Sequence, residues 1–140
     1  MEITHQEVQE DRDFIRQKVV EHNKRSLPEQ QRSPYGKTSF MARDEAGEII
    51  GGITGTYFWQ HMHIDFLWVD PSQQGSGIAA QLMASMEQYA RELKCRLMTV
   101  DTFSFQAPGF YRKQGFREFG VLEDQPAGHS QHYFEKRLAE

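Results

Sequence analysis

Apolar residues recur along the chain with two different periods, and these periods predict three helices and six strands. Apolar positions three and four apart are typical of helices and occur over residues 6–24, 77–93 and 108–114. Alternation or short apolar runs predict strands over 38–43, 48–59, 62–69, 97–100, 116–122 and 132–138. The order of elements predicts an α/β fold: a mixed, mostly antiparallel sheet with one central parallel strand–helix–strand crossover and helices on both faces.

Proline and glycine mark the ends of several of these elements. Ser26-Leu27-Pro28 ends the first helix, because proline cannot continue it. Asp44-Glu45-Ala46-Gly47 predicts a hairpin turn in which glycine takes a positive φ. Gly51, Gly52 and Gly55 fall within one strand, where glycines indicate bulges or a close backbone approach.

Length and composition predict one globular domain, residues 1–140. The 140 residues are 38% apolar, enough to bury a core without disulfides or metals. No apolar run approaches the roughly 18 residues of a membrane span, and the first residues lack the layout of a signal peptide. We therefore expect a cytoplasmic protein with no membrane partner. The formal charge of −4 and the lack of a Lys/Arg run disfavour a nucleic acid partner.

Two other candidate chemistries are weak. Cys95 is the only cysteine, and its place between a helix and a strand indicates a packing role rather than a nucleophile. His61 and His63 have the spacing of a metal-ligand pair, but no third ligand is identifiable, so we predict no metal.

A glycine-rich turn, Gly75-Ser76-Gly77, lies between a predicted strand and a predicted helix. The backbone N–H groups from Gln74 to Ala79 can converge on a phosphate there, and the helix dipole adds to the attraction. The alternative is an ordinary strand-to-helix turn with glycines for tightness.

Other phosphate-binding motifs fit this turn less well. Residues 75–80 match the dinucleotide pattern G-x-G-x-x-A, but five polar residues separate them from the strand, and the chain has room for only one parallel crossover. A Walker-type loop needs Lys and Ser or Thr where Ile78 and Ala79 stand. The turn would therefore bind a phosphate without reacting it.

The segment from Val69 to Leu82 resembles the acyl-CoA-binding motif of the GCN5-related N-acetyltransferases (GNAT). Their pattern of Gln or Arg, two residues, Gly, one residue, then Gly or Ala is met by Gln74-Gly75-Ser76-Gly77-Ile78-Ala79. Downstream, Ala107 to Phe116 resembles the second signature of the family, an alanine followed by F-Y-x-K-x-G-F. The resemblance covers roughly residues 37–138 and implies a GNAT-type fold.

The resemblance implies acetyl transfer from acetyl-CoA, as cosubstrate, to a primary amine that attacks directly in a ternary complex. A non-catalytic acyl-CoA-binding or regulatory domain of the same fold is the alternative. The resemblance further implies two sets of cofactor contacts. The pyrophosphate is held by the backbone amides of Gln74, Gly75, Ser76, Gly77, Ile78 and Ala79, and pantetheine pairs with the backbone of Leu67, Trp68 and Val69.

The resemblance also implies catalytic roles. Tyr111 matches the tyrosine that protonates the departing thiolate, and the alternative is a core aromatic. His63 and Asp65 fall where several members place the general base, and the alternative is surface polarity. Strand alternation predicts one shared face for four residues: His63, Asp65, Leu67 and Val69.

One position departs from the family pattern. Ser104 stands where the family often has an Asn that hydrogen-bonds the cofactor, with Gln106 and Asp101 nearby. Ser104 is therefore a candidate pantetheine contact. The expected partners are a small-molecule or peptide amine as substrate and acetyl-CoA, and a homodimer is compatible with the sequence.

Overall fold

The computed structural model describes residues 1–27 and 34–138, which belong to two compact units, Met1–Arg32 and Ser33–Glu140. The first unit contains helix α1, Gln9–Ser26. It begins three residues later than predicted, because the side chain of Gln6 accepts a hydrogen bond from the N–H of Val8 just before it. The predicted break at Pro28 lies outside the described residues. In the described part of the chain, no helix is long and apolar enough to cross a bilayer.

The second unit is built on a six-stranded sheet with strand order β1-β2-β3-β4-β6-β5. The β3–β4 pair is parallel and the other four pairs are antiparallel, as the sequence predicts. The strands are β1 Gly36–Arg43, β2 Ile49–Phe58, β3 His61–Val69, β4 Leu97–Phe103, β5 Arg117–Glu123 and β6 Ser130–Arg137. Helix α2 is Ile78–Glu92, and helix α3 is Pro108–Lys113.

The apolar core lies on one face of this sheet, which we call the core face. Alternate strand residues point to it, and the same buried cluster includes residues of α2 and Tyr111 of α3. The largest fully buried side chains are Phe134, Ile53, Met62, Ile64, Met83, Met86 and Met98. Gly55 makes this packing possible, because a Cβ there would lie 2.9 Å from the sulfur of Met62 and 3.2 Å from Cε of Met86. The close approach predicted at Gly55 is therefore confirmed, and its neighbours also include the backbone oxygen of His63, at 3.1 Å.

A β-bulge at Asp65 interrupts the alternation of β3. Gly55 pairs with Ile64 while the adjacent Thr54 pairs with Phe66, so Asp65 is an extra residue. Before the bulge Met62 and Ile64 point to the core, and after it Leu67 and Val69 pack against the core. The prediction that His63, Asp65, Leu67 and Val69 share one face is therefore wrong.

The strands β3 and β4 separate soon after they start. Their ladder joins only His61, Met62 and His63 to Leu97, Met98 and Thr99. Beyond this point β3 remains paired with β2 up to Val69, and β4 remains paired with β6 up to Phe103. The two halves of the sheet therefore diverge and open a cleft, which we call the central cleft.

Candidate active site

The central cleft has a volume of about 940 Å³. Its walls are the divergent parts of β3 and β4, the first turn of α2 with the loop before it, and α3. Of the predicted site residues, the following line it: Asp65, Leu67, Trp68, Val69, Gln74, Gly75, Gly77, Ile78, Ala79 and Tyr111. Its size fits an extended cofactor.

The glycine-rich loop turns sharply into α2. Gly75 and Gly77 have φ values of +86° and +83°, in the left-handed region that favours glycine. Gly77 is the N-cap of α2 and supplies no capping side chain. The first N–H groups of a helix have no intrahelical acceptor, so those of α2 are available to an anion at the cleft wall.

The polar segment before the loop is fixed by short hydrogen bonds. Asp70 accepts bonds from the N–H of Ser72 at 2.8 Å and from its hydroxyl at 2.7 Å, and these bonds lower the pKa of the Asp70 carboxyl. The hydroxyl of Ser76 donates to the carbonyl of Gln73. The side chain of Ser76 therefore ties the loop to the preceding turn, and Ser76 is not among the residues that line the cleft.

The backbone of β3 after the bulge presents one free edge to the cleft. Leu67, Trp68 and Val69 pair with Ile53, Gly52 and Gly51 of β2 on one side. On the other side the ladder with β4 has already ended. Backbone N–H and C=O groups on an open strand edge can pair with an extended chain, as pantetheine would be.

Tyr111 of α3 joins the core to the cleft. Only 7% of its surface is exposed, and its ring lies 5.9 Å, between centroids, from those of Phe116 and Phe134. Burial and the negative charge of Asp101 raise the pKa of the phenol above its ordinary value of 10.0. The phenol therefore keeps its proton at neutral pH.

His63 and Asp65 lie on the sheet face opposite the core, which we call the polar face. The hydroxyl of Thr56 donates to Asp65 at 2.6 Å. Nδ1 of His63 is 2.7 Å from the hydroxyl of Thr99, and its Nε2 is 3.6 Å from Oδ1 of Asp101. The His63 side chain is 34% exposed and adjoins the cleft through Asp101, which lines it.

His61 is turned toward the same hydroxyl. Its Nε2 is 2.6 Å from Oγ1 of Thr99, so both histidines share one protein partner. Burial, then the charges of His63 and Arg96, lower the pKa of His61 below 6.5. The described residues contain no group of three His, Cys, Asp or Glu side chains placed to hold a metal.

The end of β4 places Gln106, not Ser104, at the cleft. The Ser104 hydroxyl accepts a hydrogen bond from the N–H of Ser130 at 3.1 Å, and Ser104 does not line the cleft. Oε1 of Gln106 accepts bonds from the Thr102 hydroxyl and the N–H of Phe103, at 2.8 and 2.9 Å. Both acceptor contacts fall on Oε1, so the amide NH₂ of Gln106 is the group left for a cofactor carbonyl, and the expectation for Ser104 is not retained.

Cys95 is buried, and burial raises the pKa of its thiol. A thiol with a raised pKa is mostly protonated and therefore a weak nucleophile. This is the packing role that the sequence indicates.

Comparison with known proteins identifies the family of this chain. A family model described as the Acetyltransferase (GNAT) family matches residues 5–116. Blasticidin-S acetyltransferase of Streptomyces morookaense is 38% identical over 115 residues, which cover 81% of this chain and 85% of that protein. The crystal structure of an acetyltransferase from Bacillus cereus ATCC 14579 is 45% identical, with a TM-score of 0.95, and the match covers 98% of each chain.

A more distant structure contains the cofactor. It is described as a streptothricin acetyltransferase from Bacillus anthracis str. Ames in complex with acetyl coenzyme A. It is 22% identical, with a TM-score of 0.66, and the match covers 75% of this chain and 64% of that chain. At that identity the likeness shows the fold alone. The family model and the relative that is 38% identical show that this chain belongs to the GNAT acetyltransferase family, whose members use acetyl-CoA, and that it is an acetyltransferase.

Proposed function

We propose that the chain transfers the acetyl group of acetyl-CoA to the primary amine of a small molecule, by direct attack within a ternary complex. The observation that carries this proposal is the divergence of β3 from β4. It leaves a free backbone edge for the cofactor between a buried phenol, Tyr111, and the histidine and carboxylates of the polar face.

The cofactor would lie along the central cleft. The N–H groups of 74–79 would bind its pyrophosphate, and the edge of β3 at Leu67–Val69 would pair with pantetheine. Gln106 would add an amide donor. The thioester carbonyl would meet a β3 N–H group, which stabilises the negative charge that develops on its oxygen.

The amine would approach from the polar face. His63 is proposed as the base that takes a proton from the ammonium group, directly or through one water, because an imidazole can both accept and release a proton near neutral pH. Asp65 and Asp101 line the cleft, and their negative charges would attract a cationic amine. Tyr111 would then protonate the thiolate as coenzyme A leaves.

The substrate class is proposed from the relative that is named for its substrate. Blasticidin-S acetyltransferase is 38% identical over most of both chains, so blasticidin S is the first amine to test. The panel would add a streptothricin, free lysine and a peptide with a free N-terminus, and release of free thiol from acetyl-CoA would be measured. Faster turnover of the peptide than of every small molecule would contradict the small-molecule proposal. Binding of acetyl-CoA with no turnover of any amine would favour the acyl-CoA-binding alternative.

The base is tested by pH–rate profiles of His63→Ala and Asp65→Ala. We expect His63→Ala to remove the acidic limb of kcat/KM and Asp65→Ala to keep it while raising KM for the amine. If both variants keep the acidic limb of the unchanged protein, neither residue is the base.

A further inference from the structure

The hydroxyl of Thr99 lies between two imidazole rings, 2.6 Å from Nε2 of His61 and 2.7 Å from Nδ1 of His63. Both distances are those of short hydrogen bonds. A hydroxyl carries one proton, so it donates to one ring and accepts from the other. The chain of bonds therefore has a direction, and the direction fixes which nitrogen of His63 carries the proton.

The surroundings of Nε2 favour one direction. Oδ1 of Asp101 is 3.6 Å from Nε2 of His63, too far for a hydrogen bond, so a proton on Nε2 gains no close acceptor there. A proton on Nδ1 has the Thr99 oxygen at 2.7 Å. Thr99 then donates to Nε2 of His61, a half-buried ring whose surroundings favour the neutral form.

We propose that Thr99, which is hydrogen-bonded to His61, is a positioning residue that holds His63 as the Nδ1–H tautomer. The Nε2 atom of His63 then has a free lone pair on the side of Asp101 and the cleft. The inference rests on the proposed role of His63 as the base. The substrate N–H bond breaks as the Nε2–H bond forms, and Asp101 stabilises the resulting imidazolium. That proton passes to water at the end of the cycle, while the thiolate takes its own proton from Tyr111.

The groups around His63 come from each neighbouring strand. Asp65 and His61 share its own strand, and Asp101 and Thr99 face it from β4. Thr56 of β2 pairs with His63 and holds Asp65. Farther along the polar face, Glu135 of β6 pairs with Thr99 and is neutralised by two arginines, and Arg96 acts on His61. These outer charged groups are Glu135, Arg117, Arg137 and Arg96.

The tautomer can be read without any activity measurement. Two-bond proton–nitrogen correlations of ¹⁵N-histidine-labelled protein at about pH 8.5, above the ordinary histidine value of 6.5, distinguish Nδ1–H from Nε2–H. We expect Nδ1–H for His63 in the unchanged protein and in Thr99→Ser, and Nε2–H in Thr99→Val. An Nε2–H signal from the unchanged protein would overturn the inference, whether or not any variant folds.

The kinetic test uses the same variants and a matched control. We expect Thr99→Val to lower kcat at least ten-fold without changing KM for acetyl-CoA, and Thr99→Ser to restore most of the rate. The control is Thr54→Val, because the buried Thr54 hydroxyl has no hydrogen-bond partner among the described residues. Full activity of Thr99→Val would contradict the inference. Failure of the base proposal would show differently: His63→Ala would keep its acidic limb while the tautomer still changed in Thr99→Val.

Discussion

Tyr111 performs two tasks that belong to different parts of its side chain. The ring packs against Phe110, Phe116 and Phe134, while the residue also forms part of the cleft wall. The sequence left a core aromatic and a catalytic acid as alternatives. The ring contacts show that Tyr111 is a core aromatic, and its place in the cleft wall is compatible with a catalytic acid. Substitution by phenylalanine tests the second role, because it removes the hydroxyl and keeps the ring.

Tyr111→Phe should keep the ring packing and remove only the phenol proton. We expect kcat to fall ten-fold or more, a barrier increase of about 1.4 kcal/mol or above, with affinity for acetyl-CoA nearly unchanged. Steady-state kinetics and calorimetric binding measure the two effects. The matched control is Tyr89→Phe, since Tyr89 of α2 packs against Phe40 and Tyr57 outside the cleft. Equal turnover in the two variants would remove Tyr111 as the acid.

At the scale of elements, the loop before α2 was predicted from sequence because its signal is local. Two glycines with positive φ, Gly75 and Gly77, come directly before the first residue of the helix, so neighbouring residues determine both the turn and the helix start. The two strands of the β2–β3 hairpin were predicted, but its turn was placed one residue too late. Trp59 and Gln60 form its turn with φ of +51° and +58°, conformations usually marked by Gly, Asn or Asp. The sequence therefore suggested a strand continuing to residue 59.

Gly77→Asp should abolish binding of coenzyme A. A Cβ at this position meets only Nε2 of Gln81, at 3.9 Å, so the substitution places a carboxylate beside the N-terminus of α2 without a clash. Repulsion of the pyrophosphate should weaken Kd at least 100-fold, about 2.7 kcal/mol, measured by calorimetry. Gly77→Asn is the matched control, because Asn has the same shape and tolerates positive φ. A similar loss in both variants would trace the effect to the backbone and contradict a phosphate site.

Helix α2 is also joined to β6 by a carboxylate. Glu87 receives Nζ of Lys136 at 2.6 Å and Nη2 of Arg91 at 3.0 Å. Burial raises the pKa of Glu87, but the hydrogen bonds and charges of Lys136 and Arg91 outweigh it and lower the pKa below 4.5. Its stabilising effect is therefore complete above pH 4.5 and is lost as the pH falls through the lowered value.

Glu87→Gln should lower the free energy of unfolding by about 1–3 kcal/mol at pH 7, because Lys136 loses its charged acceptor. The difference from the unchanged protein should shrink as the pH falls below 4.5. Urea unfolding at several pH values measures both effects. The control Glu92→Gln, at an exposed end of the same helix, should stay within about 0.5 kcal/mol. A pH-independent difference for Glu87→Gln would exclude the carboxylate as its cause.

At the scale of the whole molecule, the sheet consists of two halves joined by a ladder of three residue pairs. The order of elements along the chain and the parallel crossover were predicted, because they follow from the succession of helical and strand periods in the sequence. The divergence of β3 from β4 was not, since it depends on which strands pair and for how long. Thr99 was missed as a functional candidate and Asp101 only noted in passing, because their histidine partners on β3 are distant in sequence.

A cofactor in the cleft should link the two halves. We expect coenzyme A at 100 times its Kd to stabilise the fold by about 2.7 kcal/mol and to raise the unfolding midpoint by several degrees. Hydrogen exchange should slow most at the free edge of β3, residues 64–69, and in the first turn of α2. Strands β1 and β5, at the two sheet edges, should change least. Equal protection of β5 and of residues 64–69 would contradict binding in the cleft.

The single extra residue at Asp65 divides β3 into two segments that can change independently. Before the bulge, His61 and His63 lie on the polar face. After it, Leu67 and Val69 pack against the core, and the backbone of residues 67–69 is paired on one side only. In the proposed function, side-chain changes in the first segment would alter the fit of the amine and leave the backbone edge of the second segment unchanged. Deletion of Asp65 would remove the bulge, restore strict alternation and keep Leu67 and Val69 on the core side. One extra amino acid would thus separate the part of the strand that we propose faces the amine from the part that we propose pairs with the cofactor.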